Sequence, residues 1–352
     1  MLEIDGSIGE GGGSVLRISL ALSTFLGEPI RVYNIRAKRS KPGLSNQHLS
    51  AVRALEKLSG AEVRGAELRS EEVFFDPEKV EGGSIGVDIG TAGSTTLILQ
   101  SVMISAAFSK DPVDLEVIGG TDNPHAPPVD YLKNVTLPIL RKLGYRGEVE
   151  LVKRGHYPKG GGKIRAVIHP VEDLSSLKLT DLGNVDTVSG RSHCVKLPGH
   201  IAQRQAKSAE KRLEEAGLDA EIEVEFYEKS EDPHLSPGTG IVLWSESESG
   251  SILGSSAMGE RGKPAEEVGG EAADSLIRQL STGCAVDRYM TDQLIPYLAI
   301  ADGKSEISST ELTLHTLTNV KIVEEILEAD IEVEGGRGEA GRIFVNPSKK
   351  LL

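Results

Sequence analysis

A chain of 352 residues has room for about two domains, and 38% hydrophobic with 26% charged residues supplies a sizeable core, which excludes wholesale disorder. A net charge of −14 excludes duplex nucleic acid bound across the whole surface, while leaving open a local basic pocket for a phosphate-bearing ligand. Forty glycines and 16 prolines, with 4% aromatic residues, point to short strands and tight turns rather than long helices.

The chain starts Met1-Leu-Glu-Ile-Asp-Gly, without a basic region followed by an apolar one, and no stretch approaches the ~20 apolar residues of a membrane span. These features predict a cytoplasmic protein with no membrane partner. Cys194 and Cys284 have neither metal-ligand spacing nor a disulfide framework, as expected of a reducing compartment.

In chain order, a strand containing Ile4-Asp-Gly meets the turn Gly9-Glu-Gly-Gly-Gly13 and then an apolar helix. Pro29 to Ala37 reads as a strand, and a Pro/Gly loop leads into a helix from Leu49 to Leu58. A β-type run, Glu72-Val-Phe-Phe-Asp-Pro77, closes the unit. The same order returns with Val87-Asp-Ile-Gly, the turn Ala92-Gly-Ser94, a strand over 112–120, a helix from Leu132 to Leu143 and the closing run Arg165-Ala-Val-Ile-His-Pro170. A third closing run is Arg342-Ile-Phe-Val-Asn-Pro347. The first two ends lie 93 residues apart and the last two 177, so the third unit carries 84 surplus residues.

That surplus falls where the pattern breaks. It contains an amphipathic helix over Ala202–Ala216, an acidic strand over Ala220–Phe226, a loop rich in Pro, Gly and Ser, and a strand Gly240–Trp244. Helices near Met290–Ile300 and at Val320–Leu327 then complete the third unit. The fold expected is α/β (α+β): a large domain, 1–183 and 277–352, of three βαβαββ-type units, with a small α/β domain, 184–276, inserted in the third. Such insertions are tolerated at exposed loop tips.

Between Arg31 and Arg53 lie six basic residues and no acidic one. This is either a solvated strand edge or a phosphate pocket, with Arg36 and Arg39 at the strand-to-loop junction where ligands are met. The Gly9–Gly13 turn before a helix offers bare amides to an anion. Glu10 is either an ordinary turn acid or the holder of a divalent cation. Lys159-Gly-Gly-Gly-Lys163 fails as a P-loop, because Tyr157 stands at the first glycine position and Ile164 replaces Ser/Thr; a hairpin turn is the better reading. Eight histidines show no His-x-x-x-His and no His/Cys cluster, so no protein-built zinc site is expected and His156 and His169 read as structural. His315 differs, standing just before the last helix where unit one has its basic loop; it is a candidate nucleophile.

Together these motifs resemble the RNA 3′-terminal phosphate cyclases over essentially the whole chain. The carrying residues are Gly9–Gly13 with Arg17, Ile35-Arg-Ala-Lys-Arg-Ser-Lys-Pro-Gly-Leu44 with Gln47-His48, and Gly93-Ser94 with Gln100. Gly119-Gly-Thr-Asp-Asn-Pro124, Ala126-Pro-Pro128, His156-Tyr-Pro-Lys-Gly-Gly-Gly162, Tyr289-Met-Thr-Asp-Gln-Leu294 and His315-Thr-Leu-Thr-Asn319 complete the set. The resemblance implies the three-unit fold with a thioredoxin-like insert. It also implies a reaction: a histidine, His315, attacks ATP to give a covalent histidine–AMP and pyrophosphate. AMP passes to an RNA 3′-terminal phosphate, and the 2′-OH then closes a 2′,3′-cyclic phosphate. By the same resemblance Arg17, Arg36, Arg39, Gln100, Pro127, Tyr289, Met290, Thr291, Asp292 and Gln293 bind ATP, adenine packing between Tyr289 and Pro127. Glu10 holds a divalent metal, Mg2+ or Mn2+, RNA with a 3′-terminal phosphate is the partner, and a homodimer is allowed. Three rivals stand beside this: a non-catalytic ribosome-assembly relative, an enolpyruvyl transferase, and an RNA-binding module, which 4% aromatic residues disfavour.

Overall fold

A computed structural model describes residues 1–185, 187–348 and 350. The first unit is β1 (Leu2–Asp5), α1 (Gly13–Leu26), β2 (Ile30–Tyr33), α2 (Asn46–Ser59), β3 (Glu62–Arg64) and β4 (Val73–Asp76). Its sheet has the order β1-β2-β4-β3, with β1 parallel to β2 and the other pairs antiparallel. Both helices stop on a glycine in the left-handed region, Gly27 at φ 67° and Gly60 at φ 64°, which a side chain adopts at a cost.

The second unit is β5 (Gly83–Asp88), α3 (Thr95–Ala106), β6 (Val113–Gly119), a helical run, β7 (Arg146–Lys153) and β8 (Gly162–His169). The run comprises α4 (Val129–Tyr131), a π-helical turn (Leu132–Thr136) and α5 (Leu137–Lys142). Its sheet order, β5-β6-β8-β7, and its parallel first pair match those of the first sheet. β7 and β8 are an antiparallel pair joined through the glycine loop 159–162, in agreement with the hairpin expected there.

After β9 (Lys178–Leu179) the chain leaves for a separate sheet: β10 (Thr187–Val195), α6 (His200–Glu215), β11 (Asp219–Glu225), β12 (Gly238–Glu246), β13 (Ile252–Met258) and α7 (Ala265–Leu280). The order is β11-β10-β12-β13. Its own apolar cluster, including Val188, Ala209, Leu213, Ile241, Leu253, Val268 and Leu276, lies between this sheet and α6 with α7. The boundary expected at 276 falls inside α7, which runs on to Leu280 because Leu276 is buried in that cluster.

The chain then returns with α8 (Arg288–Ile300), β14 (Ser305–Ser309), α9 (Leu314–Leu327), β15 (Asp330–Glu334) and β16 (Gly341–Asn346). β9, β14, β16 and β15 make the fourth sheet. The main core is continuous from Ile4 to Val345, and α1 packs against α2, α3 and α9 while α8 packs against α9. The other face of the inserted sheet seats on the second unit: a Cβ on Gly254 would stand 2.7 Å from both Tyr131 Cε2 and Val135 Cγ2. Among the described residues no helix is long and apolar enough to cross a membrane.

Asp287 fastens this junction. Its buried carboxylate caps α8 by accepting from the amides of Tyr289 (2.7 Å) and Met290 (2.8 Å). It also accepts from the Tyr131 hydroxyl (2.8 Å) in unit two and the Gly254 amide (2.9 Å) in β13. Three separate stretches of chain therefore meet on one side chain.

Candidate active site

Where α1, α3, α8 and α9 converge, a cavity of about 700 Å³ opens, a size suited to a small-molecule ligand. Ser14 and Arg17 come from α1, Gln100 from α3, Tyr289, Asp292 and Gln293 from α8, and His315 and Asn319 from α9. The loop 123–128, including Pro127, covers one side. Met258 at the end of β13, Gly259 and Glu260 just after it, and Lys263 and Glu271 around α7 form another wall, so the inserted sheet takes part in the cavity.

His315 is the second residue of α9, not a loop residue before it. The helix begins earlier than the apolar pattern at Val320 suggests because Thr313 caps it, its hydroxyl accepting from the Thr316 amide at 3.1 Å. Such a cap contributes roughly 1 kcal/mol. The imidazole is half exposed and its Nε2 stands 3.1 Å from Glu10 Oε2. It therefore sits in the first turn of a helix, where amide dipoles favour negative charge such as a phosphoryl oxygen.

Glu10 is held from several sides. Ser14 Oγ donates to Oε1 at 2.8 Å, Arg39 Nη2 to Oε2 at 3.1 Å, and the Glu10 amide donates to Thr318 Oγ1 at 3.2 Å. Its side chain is only 7% exposed. Gly9 makes the approach to α9 possible: at φ +57°, a Cβ there would fall 2.0 Å from Thr318 Oγ1.

Arg17 and Asp292 share the cavity wall without a direct ion pair. Arg17 makes no ion pair among the described residues, and burial lowers its guanidinium to about 10 against the opposing pull of Glu10 and Asp292. Burial, reinforced by Asp287 and Glu10, pushes the Asp292 carboxyl up to about 8, with Arg17 opposing. His48, hydrogen-bonded to Ser45 Oγ at 2.6 Å, is pushed down to about 3 by burial and by Arg17, Arg36 and Arg39, which leaves it a neutral ring against the glycine turn. A Cβ on Gly13 would stand 2.0 Å from His48 Nε2, so the turn and the ring close on each other only with glycine there. A cavity with an unpaired arginine and Asp292 on its wall, and Glu10 beside His315, suits an anion carrying a cation.

Gln100 Nε2 donates to Gln293 Oε1 at 2.6 Å, and Gln293 Nε2 donates to the Tyr289 carbonyl at 2.7 Å. Tyr289 is 42% exposed, with Arg288 over its ring at 5.4 Å. Not every expected residue reaches the cavity. Met290 and Thr291 are fully buried and do not line it, Thr291 Oγ1 bonding the Asp287 carbonyl and Ser309. A helix cannot turn five consecutive residues to one side; 289, 292, 293 and 296 share a face. Arg36, Arg39 and Glu10 are also off the cavity wall: Arg36 donates to the Gly43 carbonyl at 2.7 Å, and Arg39 reaches the site through Glu10, which touches His315. Residues that sequence reasoning missed include Ser14, Asn319's packing role through Nδ2 to the Asp292 carbonyl (2.9 Å), and Lys263 with Glu271. Ser14 was within reach of a spacing argument, since it stands one helical turn from Glu10.

The histidines also cluster in space, contrary to the reading of their spacing. His156 beside the β7–β8 loop and His193 on β10 bring Nε2 atoms within 3.2 Å, and both stand 3.9 Å from the Asp122 carboxylate. All three residues are buried. Sheet pairing and docking of the insert, not sequence spacing, bring them together.

The chain matches the RNA 3′-terminal phosphate cyclase family over residues 8–333. It is 51% identical over 348 residues to an RNA 3′-terminal phosphate cyclase of Methanopyrus kandleri, covering 99% of each chain. It is 49% identical over 346 residues to one of Pyrococcus furiosus, covering 98% of each. A solved EPSP synthase from Acinetobacter baumannii matches at TM-score 0.29 and 12% identity, over 95% of this chain and 62% of that one, too distantly to bear on function. With a site built from both ends of the chain and relatives similar along its whole length, this chain belongs to the RNA 3′-terminal phosphate cyclase family.

Proposed function

We propose that the chain converts an RNA 3′-terminal phosphate to a 2′,3′-cyclic phosphodiester with ATP as co-substrate, His315 being the nucleophile. The observation that carries this reading is the 3.1 Å approach of Glu10 Oε2 to the Nε2 of His315, which stands with Arg17 on the wall of the cavity. An imidazole nitrogen attacks the α-phosphorus, a P–N bond forms, and the P–O bond to the β-phosphoryl group breaks as pyrophosphate leaves. A 3′-phosphate oxygen of the RNA then attacks the same phosphorus, breaking the P–N bond and giving an RNA(3′)pp(5′)A end. Finally the 2′-OH attacks the 3′-phosphorus and loses its proton, and AMP leaves. Because the 2′-OH is a reactant, a DNA 3′-phosphate can at most be adenylylated.

The local chemistry supports each part. Nε2 stands 3.1 Å from Glu10 Oε2; attack from that nitrogen needs its lone pair free, with any proton on it moved to Nδ1 or handed to Glu10, which is within reach. Arg17 is an unspent cation for phosphate oxygens, and Arg39 reaches the same carboxylate as His315. Arg36 holds the loop that carries Arg39. Exposed Tyr289 and Pro127 offer flat surfaces for adenine, and the Gln100–Gln293 pair orients groups on the nucleotide side. Glu10, beside His315, fits a divalent cation of the Mg2+ or Mn2+ type together with Asp292 on the cavity wall, since hard cations take carboxylate oxygens. Such an ion supplies charge neutralisation on phosphate oxygens.

Incubation with ATP labelled at the α-phosphate and a divalent cation, followed by denaturing electrophoresis, tests the proposal. Acid-labile label on the wild type, absent from His315→Ala and chased into RNA bearing a 3′-phosphate, is expected. Label on both proteins would place the nucleophile elsewhere, and label on neither would favour a non-catalytic relative.

A further inference from the structure

A polar cluster away from the cavity joins the inserted sheet to the second unit. At its centre Arg154, 1% exposed, donates to Asp122 (3.2 Å), Asp130 (2.7 Å) and Glu225 (2.7 Å). One guanidinium faces three carboxylates, so the group carries two negative charges in excess. Buried charge is costly unless matched by a partner of opposite sign. Arg191 reaches Asp130 only at 3.5 Å and is itself paired with Glu223. The two histidines beside Asp122 are the groups at hand for a missing positive partner.

We propose that Asp122, His156 and His193 bind a zinc ion that fastens the inserted sheet to the large domain. The donor atoms are already converged: Nε2 to Nε2 at 3.2 Å, and each Nε2 at 3.9 Å from an Asp122 oxygen. Donors on a tetrahedral ion with ~2.0–2.1 Å bonds stand about 3.3 Å apart, so small adjustments close the set. Two imidazoles with one carboxylate select zinc over Mg2+ or Ca2+, which take oxygen ligands. A divalent ion matches the two excess negative charges. Without it two imidazole nitrogens face each other with room for one shared proton, and His193 Nδ1 finds no hydrogen-bond partner among the described residues.

His234 lies outside the converged set of Asp122, His156 and His193, and is the candidate fourth donor only if its loop moves in. It is 2% exposed, its Nδ1 is held 2.8 Å from Asp232, and its Nε2 is buried without a partner among the described residues. A carboxylate on one ring nitrogen that leaves the other free is the arrangement metal-binding histidines use. The loop carrying it touches the β7–β8 loop through the Lys159 amide and Ser236 Oγ at 3.1 Å. The ligands thus come from two units of the fold, and the role is cross-linking, not chemistry at His315.

The test uses the full chain, stripped with a chelator, reloaded with zinc and dialysed. About one zinc per chain is expected by elemental analysis, with a raised melting temperature. A Glu10→Ala, His315→Ala double variant should keep the same stoichiometry, which separates this site from the cavity. His193→Ala and His156→Ala should each drop to a tenth or less of the wild-type zinc and lose the thermal shift. Should those variants fail to fold, cobalt loading of the wild type decides: intense visible d–d bands of a tetrahedral nitrogen-ligated ion are expected. Wild-type protein that retains no zinc, zinc retained by folded His193→Ala, or only the weak bands of octahedral cobalt would each overturn the proposal.

Discussion

Glu10 and His315, from opposite ends of the chain, are joined by a 3.1 Å contact between Oε2 and Nε2. The pairing depends on Gly9, whose missing side chain lets the first turn close on α9, and on Thr318, which takes the Glu10 amide. Glu10→Gln keeps size and the Ser14 bond while removing the charge that Arg39 and His315 share. Adenylylation should fall ~10²-fold or more with the melting temperature nearly unchanged, since general acid–base groups contribute about 10²–10⁴-fold. Single-turnover labelling beside a melting curve checks it.

Gly9→Ala should act on the same pair indirectly. A Cβ there must displace Thr318, and φ +57° is unfavourable for alanine. A loss of roughly 1–3 kcal/mol is expected together with a large drop in labelling. Urea unfolding of the variant measures the first part.

Asp292 gives a pH signature. Its carboxyl is pushed up to about 8 from an ordinary 3.8, so between those values the folded state holds a proton that the unfolded state has released. Its contribution to stability therefore falls as pH rises from about 4 to about 8. Asp292→Asn removes that slope. The melting temperature of the variant minus that of the wild type should grow steadily from pH 4.5 to pH 8; a flat difference would contradict the buried, proton-holding carboxyl.

Asp287 is a packing anchor. Asp287→Ala strands the Gly254 amide, the Tyr131 hydroxyl and the first amides of α8 at once, and a loss of about 2–5 kcal/mol follows from removing a buried charged acceptor. Calorimetry should show a lower melting temperature, and labelling should weaken because Tyr289, Asp292 and Gln293 ride on the same helix.

Much of this fold was legible. Glycine turns before Ser14 and Ser94, closing runs at Pro77, Pro170 and Pro347, and the long third interval all carry local signals of backbone geometry. The start of α9 was misread because apolar spacing begins at Val320, whereas a polar cap, Thr313, sets the helix end. Met290 and Thr291 belong to a contiguous motif in the sequence, whereas the helix turns them to the core and Tyr289, Asp292 and Gln293 to the cavity. The Asp122–His156–His193 cluster had no sequence signature, because its members meet only after β7, β8 and β10 have found their partners.

The wall that Met258, Gly259 and Lys263 contribute to the cavity has a consequence for how ligands are felt. A molecule filling that space touches the insert and the three-sheet body together, so its binding energy is also docking energy between them. Occupancy and domain attachment are then thermodynamically coupled: a saturating ligand tightens the seam, and a loosened seam weakens that ligand's affinity by the same factor.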